Sequence, residues 1–250
     1  MRKYGLIGYP LGHSFSQKYF TEKFAREKIT GCTYENFPLK RIEEFPDLVR
    51  NNNDLYGLNV TIPWKTEILR YIDESETAIT EIGAVNVLKI KRKDGKLRIC
   101  GYNSDVVGIR DTVKPFFPDD GGMALILGTG GSSKAVSYAL KKLGFDVTLV
   151  SRSKRTGILG YHDLNSTFFD KTNLIVNTTP LGMFPDVQTR PDLNYDLLNE
   201  KHVLFDLVYN PEITSFLKMG QERGCRIITG LKMLHSQAER SWEIWNDPAI

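Results

Sequence analysis

A buried strand that runs directly into a glycine-rich turn and then a helix most constrains what this chain can fold into. Residues 124–127 are Ala, Leu, Ile and Leu, and residues 133–143 have the spacing of an amphipathic helix. The turn between them consists of Gly128, Thr129, Gly130, Gly131 and Ser132. Glycines permit a tight turn and let backbone N–H groups approach a pyrophosphate at the helix N-terminus, where the helix dipole favours an anion. The segment predicts a dinucleotide-binding turn; a turn without a ligand is the alternative, because Ser133 stands where G-x-G-x-x-G has its third glycine.

The turn after the next strand is basic. Residues 147–150 predict a strand, which is followed by Ser151, Arg152, Ser153 and Lys154. NAD-binding folds usually place Asp or Glu at this point to accept hydrogen bonds from the ribose. A carboxylate would repel a 2′-phosphate, whereas hydroxyl, guanidinium and ammonium groups would bind it. The turn therefore predicts NADP as the cofactor, and a basic turn exposed to solvent is the alternative.

Strand and helix signals alternate along the whole chain. The first half predicts strands at residues 4–8, 33–39, 55–61, 85–90 and 97–102, and helices at residues 16–29, 42–50 and 65–72. A predicted linker at residues 115–122 is followed by strands at residues 123–127, 147–150, 174–177, 203–208 and 226–229, and helices at residues 133–143, 213–223 and 232–245. This alternation predicts an α/β fold in two domains, with mostly parallel sheets covered by helices.

Composition excludes several classes of function. The chain has 250 residues, of which 41% are hydrophobic and 25% charged, as in ordinary globular proteins. No apolar run approaches the roughly 18 residues of a membrane span. The net charge of +3 comes without a nucleic-acid-binding motif. The 3 cysteines are far apart and odd in number, so they predict neither a disulfide framework nor a metal site. We expect a cytoplasmic enzyme that acts on a small molecule, without nucleic acid, membrane or metal.

Two further segments carry groups suited to substrate chemistry. Ser14 and Ser16 precede a predicted helix and could bind a small carboxylate, or simply cap that helix. Lys65 is predicted in the first turn of a helix, where the dipole would lower its pKa and make it a candidate general acid or base. Asp105 is the carboxylate that would complete such a site. A solvent-exposed lysine and a helix-capping aspartate are the alternatives.

Eight segments, in this order along the chain, resemble the shikimate dehydrogenase family. They are residues 13–16, 59–65, 83–86, 101–108, 128–133, 177–183, 206–211 and 230–238. The resemblance implies a substrate-binding and catalytic domain of residues 1–105, to which a C-terminal helix within residues 231–250 returns. It implies a Rossmann-like NADP-binding domain of residues 106–230. The activity implied is the reversible, NADP-dependent reduction of 3-dehydroshikimate to shikimate.

The resemblance also implies a role for individual residues. Ser14 and Ser16, helped by Tyr209, would bind the substrate carboxylate. The ring hydroxyls would be held by Thr61, Asn86, Asp105 and Gln237. Lys65 would exchange the proton at the reacting oxygen, with Asp105 as its partner. The pyrophosphate would lie on residues 128–132, the 2′-phosphate on residues 151–154, and the nicotinamide against Leu207 and Gly230.

Two other functions are compatible with the sequence. One is a quinate/shikimate dehydrogenase of the same fold that accepts a broader range of substrates or uses NAD. The other is a non-catalytic, NADP-binding regulatory module. The basic turn at residues 151–154 argues against NAD, and the presence of both Lys65 and Asp105 argues against a non-catalytic module. The sequence is compatible with either a monomer or a homodimer.

Overall fold

The computed structural model describes residues 1–12, 15–119 and 121–249. Its contacts divide the chain into two compact units. The first unit contains Met1–Ser104 and Ala238–Ile250, and the second contains Asp105–Gln237. The last helix continues through Gln237 and Ala238, so its first turns belong to the second unit and its later turns to the first.

The order of strands and helices follows the alternation expected from the sequence. The strands are β1 Arg2–Gly8, β2 Cys32–Pro38, β3 Leu55–Val60, β4 Glu74–Ser75, β5 Val87–Lys93, β6 Lys96–Tyr102, β7 Gly122–Leu127, β8 Phe145–Ser151, β9 Ile158–Gly160, β10 Thr172–Asn177, β11 Val203–Asp206 and β12 Arg226–Ile228. The α-helices are α1 Phe15–Arg26, α2 Phe45–Asn51, α3 Ala78–Ile82, α4 Asp105–Val113, α5 Gly131–Lys142, α6 Ser166–Lys171, α7 Ser215–Glu222 and α8 Gly230–Asn246.

The first unit is built on a mixed sheet with the strand order β2-β1-β3-β5-β6-β4. Strand β1 lies parallel to both β2 and β3, while β5 runs antiparallel to β3 and to β6. The β5–β6 hairpin turns at Asp94 and Gly95, both at positive φ (52° and 72°), as the Asp-Gly pair predicts. The carboxyl ends of β1, β3 and β6 and the amino end of β5 therefore share one edge.

The second unit is built on a parallel sheet with the order β12-β11-β10-β7-β8-β9. From β7 the chain proceeds to β8 and β9 on one side, then crosses to β10 on the other. Open parallel sheets bind ligands outside the carboxyl ends of their strands, at the point where the strand order reverses. That point lies between β7 and β10.

Each unit has its own hydrophobic core. In the first, Tyr4 stacks on Trp245 with ring centroids 4.9 Å apart, and Phe20 stacks on Tyr34 at 4.6 Å. Trp245 also donates a hydrogen bond to Leu88 O at 3.0 Å. A Cβ at Gly57 would lie 2.3 Å from Trp245 Nε1, so glycine is required for this approach. The end of α8 is thus part of the first unit's core.

The structure corrects one expectation about local structure that bears on the chemistry. Lys65 was expected in the first turn of a helix. Instead it lies in a turn, and the helix that follows is a short 3₁₀ segment, Glu67–Tyr71. Lys65 therefore lies before this helix and not in its first turn, the position that the sequence predicted for it.

The other differences are smaller. The helix expected at residues 42–50 divides into a 3₁₀ turn, Ile42–Glu44, and α2. The short elements α3, α6, β4 and β9 were not predicted, because each has six residues or fewer and too little periodicity to be recognised. The nine-residue helix α4 was not predicted either. Among the described residues, no helix is both long and apolar enough to cross a bilayer, and no group of three or more His, Cys, Asp or Glu side chains is placed to hold a metal ion.

Candidate active site

The segments after β1 and β3 meet at one edge of the first sheet. Ile7 is paired with Val60, and Thr61 N donates to Ile7 O at 2.9 Å. A Cβ on Gly8 would lie 2.4 Å from Thr61 Cγ2, so the two segments approach this closely only because residue 8 is glycine. This contact fixes Thr61 beside the start of the segment that carries the predicted carboxylate-binding serines.

One of those serines can be placed. Ser14 lies outside the described residues. Ser16 is half-buried in the first turn of α1, which begins at Phe15, so it does not precede the helix as a capping residue would.

Asn86 lies at the same edge and is buried. Its backbone oxygen accepts a hydrogen bond from Val60 N at 2.8 Å, which places it beside the end of β3. Its side-chain Nδ2 donates to Ser104 Oγ at 3.0 Å, and its Oδ1 accepts from Ser104 N at 2.7 Å. These two bonds fix the orientation of the Asn86 amide.

The backbone of Lys65 is fixed next to Asn86. Val85 N donates to Lys65 O at 2.8 Å, and Trp64 N donates to Thr61 O at 3.0 Å. The Lys65 side chain is half-buried. Thr61, Asn86 and Lys65 thus lie on segments that meet at one edge of the first sheet, and Ser16 lies in the first turn of the helix that follows β1.

Asp105 and Gln237 lie in the second unit on two helices that touch. Both side chains are buried. A Cβ at Gly108 of α4 would lie 2.7 Å from Met233 O and 3.3 Å from Gln237 Cβ in α8, so the helices approach at this glycine. Asp105 is three residues before Gly108, on the same face of α4, and this face is directed toward α8. Tyr209 follows β11 in the same unit and is half-buried.

The glycine turn lies at the carboxyl end of β7, where the strand order of the second sheet reverses. Gly128 has φ +113°, a conformation open to glycine but not to larger residues, and a Cβ there would lie 2.7 Å from Thr178 Oγ1. The Ser133 hydroxyl donates to Gly130 O at 2.6 Å, which closes the turn at the start of α5. The first N–H groups of a helix have no acceptor within it and suit an anion. The turn therefore has the space, backbone conformation and donors that a pyrophosphate needs.

The basic turn follows β8 at the same edge of this sheet. Arg152, Ser153 and Lys154 are exposed. Lys154 Nζ lies 2.9 Å from Asp163 Oδ1, and this ion pair, together with a hydrogen bond from Gly160 N, lowers the pKa of Asp163. A phosphate at Lys154 would compete with Asp163, so Arg152 is the stronger candidate for a 2′-phosphate ligand.

The two residues expected at the nicotinamide come together in the structure. A Cβ at Gly230 would lie 2.7 Å from Leu207 O, so the start of α8 approaches the end of β11 at a glycine. Leu207 N donates to Asn177 O at 3.0 Å, which joins this segment to the end of β10.

Beneath this segment lies a buried acid to which the sequence assigned no role. Asp206 is fully buried and accepts hydrogen bonds from Thr214 Oγ1 at 2.6 Å, Val208 N at 2.9 Å and Asn177 Nδ2 at 3.0 Å. Burial raises the pKa of Asp206 to about 7, and these three donors only partly oppose the effect. An aspartate in a run of apolar strand residues (Val-Leu-Phe-Asp) was the signal that could have found it.

Taken by themselves, the two units define a two-domain α/β protein whose second domain is Rossmann-like. A family model described as the shikimate dehydrogenase substrate binding domain matches residues 6–88. A shikimate dehydrogenase (NADP(+)) of Methanococcus aeolicus is 34% identical, over 96% of this chain and 90% of the relative.

Two solved structures of shikimate dehydrogenases are similar to this chain. A crystal structure of shikimate dehydrogenase in complex with NADP+ has a TM-score of 0.87 and 30% identity, covering 98% of this chain and 90% of that one. Another, from Thermus thermophilus in complex with NADP(H) and shikimate, has a TM-score of 0.85 and 27% identity, covering 100% and 96%. The chain belongs to the shikimate dehydrogenase family. The resemblance, the two-domain α/β fold and the oxidoreductase class predicted from the sequence are confirmed.

Proposed function

We propose that this chain is an NADP-dependent oxidoreductase that interconverts 3-dehydroshikimate and shikimate. The observation that carries the proposal is the gathering of Thr61, Asn86 and Lys65 at one edge of the first sheet, with Ser16 in the first turn of the helix that follows β1. The name of the relative from Methanococcus aeolicus, shikimate dehydrogenase (NADP(+)), and the NADP+ complex of a structural neighbour support the choice of cofactor.

The cofactor is held by the second unit. Residues 128–132 carry the pyrophosphate on backbone N–H groups, and residues 151–154 carry the 2′-phosphate, with Arg152 supplying the main charge. The nicotinamide lies against Leu207 and Gly230. When bound, NADPH supplies the hydride that reduces the substrate's carbonyl carbon.

The protein's own side chains bind the substrate and handle the proton. Ser14 and Ser16, with Tyr209, bind the carboxylate, and Thr61, Asn86, Asp105 and Gln237 bind the ring hydroxyls. The Lys65 ammonium gives its proton to the carbonyl oxygen during reduction, and neutral Lys65 takes the hydroxyl proton during oxidation. Asp105 is the partner carboxylate of this proton exchange.

The remaining parts of the proposal concern the two domains, the cellular location, the oligomeric state and the partners. Residues 1–105 with residues 231–250 act as the substrate-binding and catalytic domain, and residues 106–230 act as the NADP-binding domain. The enzyme is cytoplasmic, works as a monomer or homodimer, requires no metal and engages neither nucleic acid nor membrane.

One steady-state assay tests the proposal against its rivals. The purified chain is given shikimate or quinate with NADP or NAD, in all four combinations. We expect shikimate with NADP to have the highest kcat/KM. A preference for quinate or NAD would favour the broader dehydrogenase. NADP binding without turnover of either substrate would identify a non-catalytic module.

A further inference from the structure

The side chain of Asp206 joins three segments of the second unit. Its Oδ1 accepts hydrogen bonds from Asn177 Nδ2, at the end of β10, at 3.0 Å and from Val208 N at 2.9 Å. Its Oδ2 accepts from Thr214 Oγ1, at the start of α7, at 2.6 Å. The side chains of Asp206, Asn177 and Thr214 are all fully buried. The bonds of one carboxyl group therefore hold together the end of β10, the segment after β11 and the start of α7.

The segment fixed in this way contains Leu207, one of the two residues expected at the nicotinamide. Val208 N closes a turn around Leu207 by donating to the Asp206 side chain, a turn that aspartate commonly forms. Leu207 N donates to Asn177 O at 3.0 Å, so both the backbone and the side chain of Asn177 are bonded to this turn. A Cβ on Gly230 would lie 2.7 Å from Leu207 O and 2.9 Å from Asp206 O. A shift of the turn would therefore disturb both residues expected at the nicotinamide.

We propose that Asp206 is a positioning residue for the nicotinamide end of the cofactor, and that Thr214 acts with it by orienting its carboxyl group. Because the carboxyl group is buried, it acts through the backbone of Leu207 and does not touch the nicotinamide ring. The inference rests on the proposed function, because it takes Leu207 and Gly230 as the residues against which the nicotinamide lies.

The strand order separates the two ends of the cofactor. The basic turn expected at the 2′-phosphate follows β8, on one side of β7, whereas Asp206 ends β11, beyond β10 on the other side. A displacement of the turn at Leu207 therefore acts on the ring end of the cofactor and leaves the phosphate end in place. The affinity for a cofactor fragment without the ring reports whether the phosphate end has changed.

The purely structural alternative is that Asp206 only closes a turn and accepts bonds from buried donors. Buried polar groups are almost always hydrogen-bonded, whatever their function. Thr214 also caps α7, because its Oγ1 accepts from Leu217 N at 3.3 Å. A structural role affects folding stability and alters the binding of NADPH and of the fragment alike. A positioning role lowers the affinity for NADPH alone.

The test compares NADPH with 2′-phospho-ADP-ribose, which is the same molecule without the nicotinamide ring. Both dissociation constants are measured on the whole chain, at a pH above the pKa of about 7 that burial gives Asp206. Asp206→Leu removes the three acceptor contacts and keeps a side chain of similar size. We expect it to weaken NADPH binding about threefold to tenfold, within the range of one hydrogen bond's net contribution, and to change fragment binding by less than about twofold.

Asp206→Asn is the conservative variant. It keeps an oxygen to accept from Asn177 Nδ2 and Val208 N, and its amide nitrogen can donate to Thr214 Oγ1, which has lone pairs to accept it. We expect this variant to restore NADPH affinity to within about twofold of the wild type.

If Asp206→Leu does not fold, Thr214→Val takes its place, because it removes one hydroxyl donor and keeps the side-chain shape. Thr172→Val is the matched control. Thr172 is also buried, and its hydroxyl donates to Phe168 O at 2.7 Å, but it begins β10 whereas Asn177 ends that strand. We expect both threonine variants to lower Tm, and only Thr214→Val to weaken NADPH binding relative to the fragment, by about twofold or more.

An unchanged ratio of the two dissociation constants in Asp206→Leu, or in Thr214→Val where that variant replaces it, would overturn the inference. A wild type that binds NADPH no more tightly than the fragment would do so as well, because the ring would then have no contact to be positioned.

Turnover of shikimate with NADP by the wild type is measured alongside. A wild type that shows the expected ratios but does not oxidise shikimate overturns the proposed reaction and supports the inference. A wild type that binds neither NADPH nor the fragment overturns both.

Discussion

The two units offer ligands two different kinds of surface. In the second unit, the groups expected to bind the cofactor are largely backbone groups at the ends of parallel strands, made accessible by Gly128 and Gly230. In the first unit, the groups expected to bind the substrate are side chains, and that of Asn86 is oriented by hydrogen bonds to Ser104. Backbone donors tolerate changes in nearby side chains, whereas anchored side chains depend on every member of their network.

This difference follows from the sheets. A parallel sheet brings the carboxyl ends of all its strands to one edge, so a local strand–turn–helix motif is enough to place an anion site. The mixed sheet of the first unit places an amino end, that of β5, between two carboxyl ends. Its site must be assembled from residues far apart in sequence. The predictions below test whether the two surfaces can be changed separately.

The largest expected effect belongs to Lys65. Removal of a general acid or base typically lowers rates by about 10²–10⁴, so Lys65→Ala should lower kcat for shikimate by that factor. NADP affinity and Tm should stay close to those of the wild type. Lys65→Met keeps the aliphatic stem and should lose as much, because the proton and not the packing is at stake. A kcat within about threefold of the wild type would assign the proton to another group.

The second effect is a pH dependence of folding stability that arises from Asp206 in the second unit. Because burial raises the pKa of Asp206 to about 7, the folded chain keeps this proton between about pH 4 and pH 7, while the unfolded chain loses it. The stability contributed by the protonated acid is therefore fully present below about pH 4 and is lost as the pH rises to about 7, at up to roughly 1.4 kcal/mol per pH unit.

Asp206→Asn should abolish this slope, since the amide resembles the protonated acid. Urea denaturation at a series of pH values provides the measurement. Asp170→Asn, at an exposed position in α6, is the matched control and should keep the wild-type slope. An identical slope in Asp206→Asn and the wild type would mean that Asp206 is ionised throughout this range.

The third effect tests the backbone site itself. Gly128→Ala forces a side chain into a conformation with φ +113° and against Thr178 Oγ1. Strain of this kind costs about 1–3 kcal/mol, so we expect both lower stability and at least several-fold weaker NADP binding. Shikimate affinity, measured without cofactor, should not change. If shikimate affinity falls by the same factor, the two surfaces are not separable.

The candidate cofactor site of the second unit could be proposed from local sequence patterns to a greater extent than the candidate site of the first. The glycine turn and the basic turn are each short and contiguous, so a local pattern indicates each of them, whereas Leu207 and Gly230 were proposed from the family resemblance. Asp206 was missed as a titrating group because its pKa depends on burial in the folded sheet and on hydrogen bonds from Thr214 and Asn177, which the sequence around Asp206 does not show.

In the first unit, the sequence and the family resemblance proposed Ser16, Asn86 and Lys65 as site residues, but not the buried hydrogen bonds around them. Tyr34 and Ser241 are separated by about two hundred residues and meet only through Asn59 in the folded sheet. No periodicity reports such a contact. The helix expected at Lys65 was wrong for a related reason: Lys65 O accepts a hydrogen bond from Val85 N, and this tertiary contact takes the place of a helical bond from residue 69.

The smallest effect concerns Arg152, the point at which the second unit depends on a side chain rather than on backbone. A charge-assisted hydrogen bond to a phosphate contributes about 1.5–3 kcal/mol, so NADP should be preferred over NAD by roughly tenfold or more in kcat/KM. Arg152→Ala should remove most of that preference by raising KM for NADP, with little change in KM for NAD.

Arg155→Ala is the matched control, because Arg155 is an exposed arginine of the same turn whose backbone pairs with Ile158. It should keep the preference within about twofold of the wild type. Because Lys154 is already paired with Asp163, Lys154→Ala should have a smaller effect than Arg152→Ala. Equal use of NADP and NAD by the wild type would show that the basic turn does not select the phosphate, and a larger loss in Lys154→Ala would show that the ion pair opens when the cofactor binds.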